Sequence, residues 1–177
     1  MISEKSCLEL LKKERVPENV IRHSQAVRRV AVYLAKLLMK GGIKVDVELV
    51  DRAALLHDIC KIRFVKTDKE PFHPDEGAKL LRKHGLNKIA DIVEAHGSSA
   101  VLNGKIDSWE KKLMCYADAR VVGDNITGLK ERFEYLRKRY AEFIEDFKKI
   151  SPILAEMERE IFRDRSTNLD FLNEAGK

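Results

Sequence analysis

Apolar residues recur along this chain at three- and four-residue steps and are punctuated by Gly and Pro, the pattern of successive amphipathic helices. The first helix is expected from Ser3 or Ser6, where Ser6-x-x-Glu9 can form a capping box, to about Arg15, ahead of Pro17. A second runs from about Glu18 to Lys40 with Val20, His23, Val27, Val30, Leu34 and Leu37 or Leu38 on one stripe, and Gly41-Gly42 ends it. A third begins near Asp46, buries Leu49, Ala53 and Leu56, and ends around His57-Asp58-Ile59-Cys60. A polar loop should follow. His73-Pro74 then opens a fourth helix closed by Gly85, and a fifth runs from Asn87, as N-cap, to His96, with Gly97 as its stop.

Residues 97–107 read as a loop, and Asp107-x-x-Glu110 as a capping box for a sixth helix with Trp109, Leu113, Ala117 and Val121 on its apolar line. Asp118 stands beside that line. After a break at Gly123–Gly128, residues 129–147 form the longest amphipathic stretch, with Leu129, Phe133, Leu136, Tyr140 and Phe147 on one face, and Ser151-Pro152 starts a short helix. No segment alternates as a strand does, so the expected fold is all-α. Residues 1–125 would form the core and residues 126–177 a C-terminal helical extension. That extension packs back on the core or pairs with a second copy in a homodimer.

At 177 residues and 44% hydrophobic, the chain suits one compact domain and excludes disordered and miniprotein classes. No apolar run is long enough for a membrane span, and the N-terminus lacks a signal peptide's layout, so a cytoplasmic setting without membrane contact is expected. The three cysteines, Cys7, Cys60 and Cys115, have no CxxC spacing and read as reduced thiols. Lys and Arg exceed Asp and Glu by only five, and the excess lies in residues 1–120. Arg137-Lys138-Arg139 is interleaved with acids on a polar helix face, which makes nucleic acid an unexpected partner.

Five histidines are a small count, but their positions are informative. His23, His57, His73 and His96 fall on or beside core-facing positions, whereas His84 reads as a surface cation at a helix C-terminus. Singly, each inward imidazole is explained by one carbonyl hydrogen bond. Together with Asp58 and Asp118 they lie on consecutive elements that short loops fold together. Burying so many polar groups in one core is costly unless a metal satisfies them, and helical bundles build metal sites from inward side chains. Imidazole with carboxylate suits a borderline divalent metal.

These residues stand in the segments Ile21-Arg22-His23-Ser24, Leu55-Leu56-His57-Asp58-Ile59-Cys60-Lys61, His73-Pro74-Asp75-Glu76-Gly77-Ala78, Glu94-Ala95-His96-Gly97 and Tyr116-Ala117-Asp118. Their order resembles the HD-domain superfamily of metal-dependent phosphohydrolases, and its HDIG branch in particular, over about residues 20–122. Cys60 stands where that branch has glycine, and His96 is followed by Gly97 instead of a second histidine. The resemblance implies a helical bundle in which His23, His57, Asp58 and Asp118 hold one metal. His73 and His96 would hold a second, with Asp58 bridging.

Iron or manganese is expected ahead of zinc, cobalt, nickel or magnesium, since magnesium and calcium favour all-oxygen ligation. The activity implied is hydrolysis of a phosphate ester or anhydride of a nucleotide or small phosphorylated metabolite, with Asp58 positioning a metal-activated hydroxide. Lys61 reads either as a contact to a phosphate oxygen or as a helix-terminal cation, and Arg120 is a weaker candidate for phosphate contact. Two other functions fit the same residues: a di-iron oxygenase of the superfamily, and a non-catalytic nucleotide-binding module. Residues 97–107 hold no GYP signature of the cyclic-dinucleotide phosphodiesterases.

Overall fold

The structure is a computed structural model that describes residues 1–61, 73–163 and 169. It is helical, as the patterning predicts. Helix α1 (Glu4–Lys13) is capped by Ser3, whose hydroxyl accepts from the Ser6 amide at 3.1 Å; the box expected at Ser6 is displaced because Ser6 already lies inside the helix. Helix α2 (Glu18–Lys40) buries His23, Val27, Val30, Leu34 and Leu38 and stops at Gly41. Gly42 follows with φ +83°, a left-handed geometry that a side chain would strain. Asp46 caps α3 (Val47–Leu56) through a 3.0 Å bond from the Leu49 amide.

Helix α3 packs against α1, α2 and two helices introduced below, so it is buried on more than the single face its stripe predicted: Val50, Ala53, Ala54, Leu55 and Leu56 are all enclosed. A turn carries the chain through His57–Cys60, and the loop expected next falls largely on residues 62–72, outside the described residues. Helix α4 (His73–Lys83) pairs with α5 (Asn87–Glu94), and Gly85 between them takes φ +74°. Asn87 is the first residue of α5 instead of its cap; Leu86 occupies that position without a side-chain bond. The segment read as a loop after His96 contains a short helix, α6 (Ser98–Leu102). Five residues are too few to show a 3.6-residue period.

Ser108, not Asp107, caps α7 (Trp109–Asp118). The break at Gly123 holds a small hairpin, Val121–Val122 (β1) against Asn125–Ile126 (β2), antiparallel, with Gly123 at φ +63° in its turn. Strands of two residues carry no alternation, so the sequence does not announce them. The amphipathic stretch 129–147 is two elements, α8 (Leu129–Arg139) and α9 (Ile144–Phe162), separated at Tyr140 and a short 3-10 turn.

Pro152 therefore lies inside α9 instead of starting a helix. An interior proline removes one backbone bond and costs roughly 3 kcal/mol in isolation. The offset comes from burial of Phe147, Ile150, Leu154, Met157, Ile161 and Phe162 on the same helix. Helices α8 and α9 pack on α6, α7 and β1, where Phe133, Phe147, Ile150, Leu154 and Met157 form a second apolar cluster with Val101, Cys115 and Ala119. The main core lies between α1, α2, α3, α5 and α7. Among the described residues no helix is long and apolar enough to cross a membrane.

Candidate metal centre

Three of the four inward histidines are fixed by a backbone carbonyl. His57 is the residue that ends α3, and its Nδ1 donates to the Ala54 carbonyl at 2.8 Å; His96, just past α5, makes the same three-residue return, Nδ1 to the Val93 carbonyl at 2.5 Å. His23, on α2, donates Nδ1 to the Gly123 carbonyl in the hairpin turn at 2.6 Å. A carbonyl only accepts, so in these three rings the proton sits on Nδ1 and the lone pair of a neutral ring is on Nε2. All three Nε2 atoms face one carboxylate pair. Orientation of a ring by its far nitrogen is how metal-binding imidazoles are held.

The carboxylates come from the turn after α3 and from the last residue of α7. Asp58 is 1% exposed, and its Oδ2 lies 3.4 Å from His57 Nε2 and 3.7 Å from His23 Nε2, while its Oδ1 lies 3.1 Å from His73 Nε2 and 4.0 Å from His96 Nε2. Asp118 Oδ1 stands 3.0 Å from His23 Nε2 and 3.8 Å from His57 Nε2. Two sets of donor atoms, each within 4.8 Å, result: His23, His57 and Asp58, and Asp58, His73 and His96. The structure thus brings His23, His57, Asp58, His73, His96 and Asp118 together from three helices, α2, α4 and α7, and from the turns that follow α3 and α5. Asp58 belongs to both sets.

His57 Nε2 and Asp58 Oδ1 are buried and make no hydrogen bond. An unsatisfied imidazole nitrogen and an unsatisfied carboxylate oxygen in a closed interior are costly. Both are lone-pair donors aimed at the same space, which a divalent cation satisfies and another hydrogen-bond acceptor cannot. The residues present therefore fit a metal of the class that takes mixed nitrogen and oxygen ligands.

The electrostatics favour ionised Asp58 and Asp118 and a neutral His96. Burial resists ionisation of Asp58, but His57 and Lys61 outweigh it and hold the carboxyl well below its usual range. Burial likewise opposes the charge on Asp118, and Arg132 and His23 outweigh it. Burial, with His57 and His73 alongside, pushes His96 down to about 3, which keeps that ring neutral. For His57 burial pulls downward, but the Asp58 carboxylate prevails and raises it. Lys61 Nζ donates to Asp58 Oδ2 at 2.7 Å, three residues along the turn.

Arg120 is placed differently from the expectation of a phosphate contact. Its Nε donates to the Thr127 carbonyl at 2.5 Å and its Nη1 bonds the Tyr116 hydroxyl, which in turn donates to Glu158 at 2.5 Å. These bonds tie α7 to α9. Arg120 lies in the turn that follows α7, and its bonds to Thr127 and Tyr116 hold it away from the cluster. The arginine that does reach the cluster is Arg132 on α8: it is buried, with Nη2 3.5 Å from Asp118 Oδ2. Its sequence setting, Lys130-Glu131-Arg132-Phe133, looks like a solvated helix face and offers no signal.

Cys60, at the position where the resembling branch has glycine, is fully buried in the main core. Gly97, at the other departure, has a local reason. A Cβ there would stand 3.0 Å from Pro74 Cγ, so the absence of a side chain lets the start of α4, and His73 with it, approach His96.

Residues 20–121 match the family model of the HD domain, and the chain belongs to that family. The chain is 30% identical over 141 residues to tRNA (cytidine(56)-2'-O)-methyltransferase of Picrophilus torridus, a match covering 72% of this chain and 39% of that protein. It is 30% identical over 146 residues to an uncharacterized protein of Methanocaldococcus jannaschii, covering 75% of this chain and 84% of that one. Over 81 residues it is 38% identical to ribonuclease Y of Treponema pallidum, covering 46% of this chain and 14% of the ribonuclease. The chain spans 39% and 42% of the length of the two tRNA methyltransferases it matches. No solved structure matches it.

Proposed function

We propose that this chain is a phosphohydrolase that cleaves a phosphate ester or anhydride of a nucleotide or small phosphorylated metabolite with two divalent ions. The observation that carries the reading is the sharing of Asp58 by two three-residue donor sets whose buried His57 Nε2 and Asp58 Oδ1 are unsatisfied. His23, His57, Asp58 and Asp118 would hold one ion, and Asp58, His73 and His96 the other; iron or manganese suits the nitrogen-rich donors best. Bound there, such ions would supply a hydroxide near neutral pH, by lowering the pKa of a water from about 15.7 to about 7, and would offset the charge on the phosphate oxygens.

The protein's own groups set up that chemistry. Three backbone carbonyls fix the imidazole tautomers, so the ligating nitrogens need no reorientation. Lys61 engages Asp58 Oδ2, keeps the carboxylate ionised, and places an ammonium beside the space where a phosphate would sit.

Three relatives bear RNA-directed names, two tRNA methyltransferases and a ribonuclease, and this favours a phosphoester carried by or released from RNA as a second reading. The test is metal analysis followed by a panel of nucleoside monophosphates, cyclic nucleotides, sugar phosphates and short oligoribonucleotides, repeated on Asp58→Ala. Turnover that requires metal and disappears in the variant is expected. Activity unchanged by Asp58→Ala, or oxygen uptake by iron-loaded protein without phosphate release, would overturn the reading.

A further inference from the structure

The two oxygens of Asp118 have different neighbours. Oδ1 lies 3.0 Å from His23 Nε2 and 3.8 Å from His57 Nε2, inside the cluster, whereas Oδ2 has Arg132 beside it, with Nη2 at 3.5 Å. Each carboxylate of the cluster therefore has one cation: Lys61 donates to Asp58 at 2.7 Å, and Arg132 reaches Asp118. The Arg132 contact is longer than an ideal charge-assisted bond. Both side chains are largely shielded from water, where attraction between opposite charges is stronger than at the surface.

Arg132 comes from outside residues 20–121, the span that matches the family model. Its place is set by packing: the adjacent Phe133 is buried in the second apolar cluster with Phe147, Ile150 and Leu154 of α9, which fixes the first turns of α8. Arg132 is itself 9% exposed, and its Nε is buried without a hydrogen-bond partner. A buried guanidinium with an unmatched donor is costly, and an apolar chain of the same length would fill the space without that cost. What an apolar chain lacks is the charge and the Nη2 donor at Asp118.

We propose that Arg132 is a positioning residue of the metal centre, holding Asp118 by Oδ2 so that Oδ1 alone is presented to the ion shared with His23, His57 and Asp58. This rests on the metal reading of the site and gives the C-terminal helices a part in it. Without Arg132, Asp118 is free to turn about its Cβ–Cγ bond and to exchange its two oxygens. Loss of a group that orients a ligand typically weakens metal binding by about 10–100-fold. The charge of Arg132 acts in the opposite sense, because a guanidinium repels a cation. Removal of a merely electrostatic neighbour would tighten the ion; removal of a positioning residue loosens it.

The experiment is calorimetric titration of the chelated full chain with manganese, repeated in a His96→Ala background to identify the step that belongs to the His23 centre. Arg132→Met should weaken that step about 10–100-fold and leave the His73 and His96 centre within about threefold. Arg132→Lys, which keeps the charge and the single donor in use, should stay within about threefold of the parent. In Asp118→Asn, Arg132→Met should have no further effect, because the group it positions is gone. The visible absorption of cobalt-loaded protein should change in Arg132→Met and return in Arg132→Lys, a pattern that a general loss of structure does not produce. Unchanged or tighter binding at the His23 centre in folded Arg132→Met, or an equal loss at both centres, would overturn the proposal. A parent chain that binds no manganese contradicts the metal reading and this proposal with it, whereas a parent with two ions and an indifferent Arg132→Met contradicts this proposal alone.

Discussion

His23 donates its Nδ1 proton to the carbonyl of Gly123 at 2.6 Å, across 100 positions of sequence. That bond makes the small hairpin part of the site, because it fixes which nitrogen of His23 faces Asp118 and Asp58. Arg22 secures the same turn from the next residue, with Nε 3.0 Å from Asp124 Oδ2. Gly123 has φ +63°, so Gly123→Ala should cost about 1 kcal/mol of stability through left-handed backbone strain. It should also weaken binding at the centre containing His23. Thermal unfolding and calorimetric titration with manganese check both; an unchanged affinity contradicts the role given to the turn.

Gly97 and Pro74 set the distance between the remaining two histidines, whose Nε2 atoms are 3.2 Å apart. The side chain of Gly97→Ala must displace the proline ring or the backbone, and Gly97→Val more so. Overpacking of this kind costs typically about 1–3 kcal/mol. The expected result is a selective weakening of the second ion, with the first retained. Loss of both ions together contradicts a local effect.

Arg120 should act on stability and not on chemistry. Arg120→Met removes bonds to Thr127, Tyr116 and Glu158, leaving a buried phenol with one partner fewer, at roughly 1–3 kcal/mol. Chemical denaturation should record that loss, while metal content and the KM of the best substrate stay as in the parent. A tenfold rise in KM without destabilisation restores Arg120 as a phosphate contact.

The titrating groups predict both ends of the pH range. Asp58 and Asp118 have folded pKa values well below 3.8, so their contribution is present above about pH 4 and is lost as pH falls further. Cys7 is shifted the other way: burial pushes its thiol from 9.0 up to about 11, so its contribution is present below pH 9 and declines as pH rises through 9 to 11. Stability measured by denaturant at fixed metal content should therefore decline on both sides. All three cysteines are buried and should resist alkylation at pH 8 in folded protein. Rapid labelling of native protein at that pH contradicts the packing around them.

Much of this architecture is legible in local pattern. Helix α2 is readable from its stripe and its glycines, and the succession of His23, His57-Asp58, His73, His96 and Asp118 is readable from which face of each helix they occupy. The parts that are not legible depend on distant partners. Arg132 reads as surface because its burial comes from α9 folding over α8, and Pro152 reads as a helix start because its cost is offset only by tertiary packing. The break at Tyr140 interrupts an apolar stripe that continues on both sides of it. The hairpin holding His23 is too short to leave a periodic trace.

The central claim is that Asp58 serves two metal ions at once, and metal stoichiometry tests it most directly. Elemental analysis after loading with manganese should find two ions per chain in the parent. It should find one in His73→Ala and His96→Ala, and fewer than one in Asp58→Ala, with each variant confirmed as folded by circular dichroism. Two ions retained in folded Asp58→Ala, or a single ion in the parent that is indifferent to His73 and His96, would contradict the shared carboxylate.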